Sequence, residues 1–171
     1  NYAPSLRASM EAAAHGYDQV LWLDAVHRKY VEEVGSMNIC FLYDGKIVTS
    51  PLRGTVLDGI TRRSILTLCR EFGYEIEERA LSVEELFEGA KSGRLQEAFG
   101  TGTAVVVSPV GQFTYKGETV ALNGGQSGEL TLKLYETLTG IQYGRIPDPH
   151  GWGGVPCDQD GVYDSMDWNG D

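Results

Sequence analysis

At 171 residues the chain has one domain's length, enough to bury a sizeable core. Its 42% apolar and 22% charged residues exclude wholesale disorder. Twenty-four acidic residues against fourteen basic ones give −10 at pH 7. That balance argues against nucleic acid and anionic membrane surfaces as partners, because a phosphate surface is met by clustered Lys and Arg.

Leu6, Met10 and Ala13 share one stripe, so the spacing predicts a helix from Pro4 to His15, ended by Gly16. Gln19 to Asp24 is a short apolar run of strand length, and Tyr30 to Glu33 reads as extended. Asn38 to Tyr43 and Lys46 to Ser50 flank Asp44-Gly45, a hairpin signal. A loop over 51–59 leads into the clearest helix, Ile60 to Phe72, stopped by Gly73.

A strand is expected over Tyr74 to Ala80. Ser82 followed by Glu85 forms a capping box for a helix ending near Gly93. Leu95 to Phe99 and Ala104 to Pro109 read as buried strands joined by a turn at Gly100-Thr101-Gly102-Thr103. Short strands follow at Gln112 to Tyr115 and Thr119 to Leu122, then a helix over Gly128 to Thr139. Strands outnumber helices, as in an α+β or mixed domain.

Residues 153–171 hold five Asp and no Lys or Arg, and read as a flexible acidic tail. Asp158-Gln159-Asp160-Gly161 lacks the spacing and the closing Glu of a calcium loop. Cys40, Cys69 and Cys157 fit neither a disulfide framework nor a zinc site, and read as reduced thiols of an intracellular protein. His15, His27 and His150 show no metal-ligand spacing. Asn1, not Met, opens the sequence, as expected after cleavage or in a piece of a longer chain.

Three features could carry chemistry. Glu32-Glu33 precede a glycine turn; an inward-facing member needs a cationic partner, such as a protonated ring nitrogen, and the alternative is a solvated loop. Leu57-Asp58-Gly59-Ile60-Thr61 opens a helix whose first N–H groups can take an anion or simply be capped. Gly100-Thr101-Gly102-Thr103-Ala104 is either a second anion cup or a tight turn.

In this order, joined by Asn1-Tyr2-Ala3, the run Gly16-Tyr17-Asp18-Gln19-Val20 and the late Ile141-Gln142-Tyr143-Gly144-Arg145, these motifs resemble the C-terminal large domain of branched-chain amino acid aminotransferases of pyridoxal-phosphate fold type IV. The resemblance spans 1–152, with 153–171 beyond it. It implies an α+β fold of twisted mixed sheets in a pseudo-barrel with flanking helices. It also implies amino-group exchange between leucine, isoleucine or valine and 2-oxoglutarate, with pyridoxal 5′-phosphate as cofactor, in a cytoplasmic homodimer. A mitochondrial or plastid location stays open.

By the same resemblance, Glu33 pairs with the pyridine nitrogen and Tyr2 with the phenolic oxygen. Gly59, Ile60, Thr61 and Thr103 hold the phosphate. Leu57 lies against the ring, and Asn38 belongs to the Glu33 motif. Thr103 and Ala104 bind the substrate carboxylate.

The family's Schiff-base lysine corresponds to a position upstream of Asn1, and none of Lys29, Lys46, Lys91, Lys116 and Lys133 matches its motif. The small N-terminal domain has no counterpart either, so the chain alone is expected to be inactive. The alternatives are a non-catalytic binding module derived from an aminotransferase, or half of a split enzyme. Asp58 stands where the family commonly has proline and sets a carboxylate near the expected phosphate; Val105 and Ser108 replace a redox Cys pair found in some members.

Overall fold

The computed structural model describes residues 3–153, so Tyr2, Cys157, the Asp158–Gly161 motif and all but the first residue of the acidic tail lie outside the described residues. Helix α1 (Ala3–Ala14) leads to β1 (Leu21–Leu23), β2 (Val31–Val34), β3 (Met37–Tyr43) and β4 (Lys46–Thr49). Helix α2 (Ile60–Glu71), β5 (Ile76–Glu78), α3 (Val83–Ser92), β6 (Leu95–Gly102) and β7 (Val106–Pro109) follow. The hairpin β8 (Gln112–Tyr115) and β9 (Glu118–Ala121) and helix α4 (Glu129–Gln142) complete the order.

Seven strands form one sheet around β3. Strand β6 pairs along one edge of β3, while β2 and then β4 share the other. All pairings are antiparallel except β4 with β5, and β7 extends the sheet beyond β6. The expected hairpin forms on Asp44 and Gly45, both at positive φ (51° and 75°), as a tight two-residue turn requires.

The alternation of β3 divides the core. Ile39, Phe41 and Tyr43 face one cluster, which includes Leu86 and Phe87 of α3 and Phe113 of the β8–β9 hairpin. Cys40 and Leu42 face the other, with Ile65, Leu68 and Cys69 of α2 and Leu130, Leu134 and Leu138 of α4. Both thiols are fully buried, and burial pushes Cys40 up to about 11 and Cys69 up to about 12. They are packing groups rather than nucleophiles.

The turn expected at Gly100–Thr103 lies further on. Strand β6 runs through Gly100, Thr101 and Gly102, and the reversal occupies residues 103–105. The glycines serve packing: a Cβ on Gly100 would stand 3.0 Å from Met37 Cε and 3.1 Å from Val34 Cγ1, and one on Gly102 3.0 Å from Met37 Cγ. The capping box at Ser82 forms by half. Ser82 Oγ accepts from Glu85 N at 3.0 Å, while the Glu85 carboxylate turns away to pair with both terminal nitrogens of Arg79. Helix α4 outruns its expected end by three residues, to Gln142.

Glu97 of β6 caps α4, accepting from Leu130 N at 3.0 Å and Thr131 N at 2.9 Å. The N-terminus of α2 has no such cap: Gly59 occupies the N-cap position without a side-chain bond. Among the described residues no helix is long and apolar enough to cross a membrane, and no cluster of His, Cys, Asp and Glu could hold a metal ion.

Candidate functional site

A cavity of about 510 Å³ opens at one end of the α2 face of the sheet. Its floor follows from strand register. Trp22 of β1 pairs with Glu33 of β2, Glu33 with Asn38 of β3, and Asn38 with Thr101 of β6. Directly paired residues project from the same face, so these side chains form a polar row across four strands. The row continues the apolar face of Cys40, Leu42 and Phe99 just where α2 begins.

Glu33 reaches this face through a bulge. Trp22 pairs with Glu33 but Leu23 with Val31, which leaves Glu32 as the extra residue of β2. Val31 and Val34 then both enter the α3-side core, and Glu32 and Glu33 both line the cavity. The Glu33 carboxylate is held from two sides: its Oε1 accepts from Asn38 Nδ2 at 3.2 Å and from Leu57 N at 3.1 Å. Glu32 accepts from Thr55 Oγ1 at 2.7 Å.

Asn38 is the joint of the site. Besides Glu33, its Nδ2 donates to Leu57 O at 2.8 Å, so it fixes the 50–59 loop to the sheet. Its Oδ1 lies 2.5 Å from where a Cβ on Gly59 would stand. Only glycine lets α2 start this close to β3. Arg62, 2% exposed, anchors the same first turn by donating to Ser50 O at 3.1 Å and Glu78 Oε2 at 2.7 Å. The free N–H groups at the head of α2 and the helix dipole give this end positive character.

Gly59, Ile60 and Thr61 line the cavity, as do Leu57 and Thr103. Leu57 (72% exposed) and Ile60 (82% exposed) form its open rim. Ala104 follows Thr103 in the exposed 103–105 turn and does not itself line the cavity. Asp58 pairs with Arg63, its Oδ1 accepting from Nε at 2.8 Å, and that guanidinium holds the Asp58 carboxyl below its usual range. The negative charge expected beside the helix start is thus matched within one helical turn. Sequence reasoning missed Thr55 and Trp22 as lining residues, and placed Thr101 only within an anion cup or a tight turn. The strand register was the signal for Trp22 and Thr101.

Thr101 is 1% exposed, and its hydroxyl has no hydrogen-bond partner among the described residues. The turn beside it ends on Val106 at φ 61°, a left-handed conformation that is costly for a β-branched residue. A larger cavity of about 880 Å³ lies between α1, α3 and the β8–β9 hairpin, with Leu21, Val34, Phe87 and Phe113 in its wall. None of the described residues singled out from the sequence as site residues borders it.

Comparison with known proteins agrees with this architecture. The family model of class IV amino-transferases matches residues 1–113. A probable branched-chain-amino-acid aminotransferase of Staphylococcus epidermidis is 55% identical over 152 residues, covering 89% of this chain and 42% of the relative. The branched-chain-amino-acid aminotransferase 2 of Bacillus subtilis is 50% identical over the same proportions. Among solved structures, the Escherichia coli branched-chain amino acid aminotransferase superposes with a TM-score of 0.74 at 32% identity, over 89% of this chain and 47% of that one. The branched-chain aminotransferase of the thermophilic archaeon Thermoproteus uzoniensis, solved with norvaline, gives 0.67 at 32% identity, over 82% and 42%.

The chain belongs to the class IV amino-transferases and has their fold type IV architecture. It spans a little under half the length of the curated relatives it matches.

Proposed function

We propose that this chain forms the cofactor-holding part of a branched-chain amino acid aminotransferase, which exchanges an amino group between leucine, isoleucine or valine and 2-oxoglutarate. The cofactor would be pyridoxal 5′-phosphate. When bound, that group supplies an electron sink for the substrate α-carbon and carries the amino group between the two substrates.

The residues present suit such a group. Its ends differ in charge, and so do the ends of the cavity. The Glu33 carboxylate, aimed by Asn38 and Leu57 N, takes the protonated ring nitrogen and keeps it protonated. The uncapped start of α2 at Gly59, Ile60 and Thr61, with Thr103 of the same cavity, takes the phosphate. Leu57 shields one side of the ring. The backbone of Thr103 and Ala104 takes the substrate carboxylate. Tyr2 is assigned to the phenolic oxygen.

The observation that carries this reading is the placement of Glu33 and the head of α2 on one cavity. Calorimetric titration of the chain with pyridoxamine 5′-phosphate tests it. Saturable binding at one site per chain is expected, and no binding would overturn the reading. The proton transfer at the α-carbon needs a basic amine, and none of the five lysines lines the cavity. We therefore assign that amine to a segment outside these 171 residues.

A further inference from the structure

We infer that the Thr101 hydroxyl is a ligand-binding group of this cavity, donating a hydrogen bond to the phosphate end of a bound pyridoxal-type ligand. This rests on the reading above and adds a residue to it. A buried hydroxyl without a partner is costly, so such a group calls for an explanation. Thr101 is 1% exposed, unpartnered, and lines the cavity.

Its place in the sheet says which end of a ligand it meets. Thr101 pairs directly with Asn38, whose Oδ1 marks the seat of Gly59 at the start of α2. Thr103, two residues on, lines the same cavity. The hydroxyl therefore stands on the side of the helix terminus, where N–H groups and the dipole favour an anion. Glu33 is one strand further away, beyond Asn38. The backbone on either side of Thr101 is fixed by Met37 packing over Gly100 and Gly102. The hydroxyl is thus preorganised, and its missing bond is made only when the ligand enters.

The test combines two measurements on the full chain. Thr101→Val removes the hydroxyl at nearly constant shape. Expected are a thermal midpoint a few degrees higher without ligand and an affinity for pyridoxamine 5′-phosphate lower by about tenfold or more. Affinity for pyridoxamine, which lacks the phosphate, should be unchanged, and Thr101→Ser should retain wild-type affinity for both ligands. Should the valine variant fail to fold, Thr101→Ala is expected to show the same selective loss.

Equal affinity of wild type and variant for pyridoxamine 5′-phosphate overturns the inference and leaves the proposed function standing. So does an equal loss for both ligands, which would put the hydroxyl at the ring. A Thr101→Val variant that folds but melts at a lower midpoint also overturns it, because the hydroxyl would then have a partner in the free chain. No binding by the wild type overturns both the inference and the reading beneath it.

Discussion

Asn38 donates to Glu33 Oε1 at 3.2 Å across the β2–β3 pair, and with the same amide nitrogen to Leu57 O at 2.8 Å. One side chain therefore sets both the carboxylate and the loop that faces it. The aim of Glu33 depends on a neutral amide, which leaves its charge available to a cation. Glu33→Gln keeps the size of the side chain and removes that charge. Affinity for pyridoxamine 5′-phosphate should fall by about tenfold or more, with little change in thermal midpoint. Calorimetry and a thermal melt on the same samples check both halves of this expectation.

Gly59 tests the seat of α2. Its φ of −67° suits any residue, so the constraint is space alone. A Cβ there meets Asn38 Oδ1 at 2.5 Å, and either the helix or the amide must move. Gly59→Ala is expected to cost about 1–3 kcal/mol of stability, as overpacking does. It should also weaken ligand binding by displacing Asn38. Denaturant unfolding would reveal an error here through an unchanged midpoint.

Glu97 is a control remote from the cavity. Its carboxylate accepts two backbone N–H groups and the Thr131 hydroxyl at the head of α4. Glu97→Ala should destabilise the chain by about 1–2 kcal/mol through loss of the cap. Ligand affinity, measured under conditions where the variant is folded, should match wild type.

Acid sensitivity has a definite source in Asp24. Backbone N–H groups of Tyr30, Lys29 and His27 hold its carboxyl well below the ordinary value of 3.8. A folded value below the unfolded one contributes stability that is complete above about pH 4 and is lost as pH falls below it. Wild type should therefore lose urea resistance progressively as pH falls below about 4. In Asp24→Asn that loss should be smaller; an equal loss would show that other carboxylates dominate.

Catalysis offers a further check. With no lysine on the cavity, the chain mixed with leucine and pyridoxal 5′-phosphate should form no keto acid above the rate of free cofactor. Product formation by the purified chain would place the proton-transferring amine within these 171 residues.

Much of the frame was legible because its signals are local. The apolar stripe of Ile65, Leu68 and Cys69 marks α2, Ser82 and Gly93 bracket α3, and Asp44-Gly45 marks the hairpin. Glu33, Thr61 and Thr103 could be singled out from motifs, and the fold brings them to one cavity. What stayed hidden depends on distant partners. Gly100 and Gly102 look like a turn until Met37 is seen lying across them. The bulge at Glu32 arises from pairing with β1 and leaves no mark in the sequence of β2. Thr101 read as one hydroxyl of an anion cup or turn, and only the register of β6 puts it beside Asn38. Glu85 follows its capping motif halfway because Arg79, six residues earlier, takes the carboxylate.

The cavity wall is assembled from α1, β1, the β2–β3 turn, the 55–61 loop and the end of β6, segments scattered from one end of the chain to its middle. No subset of them makes a complete pocket. A small molecule lodged there acts as a keystone: it favours only the fully assembled chain, and by mass action raises its resistance to unfolding in proportion to the logarithm of ligand concentration. Amide hydrogens far from any direct contact, in β3 and the core of α2, should then exchange more slowly in the loaded protein, because global opening is their route to solvent.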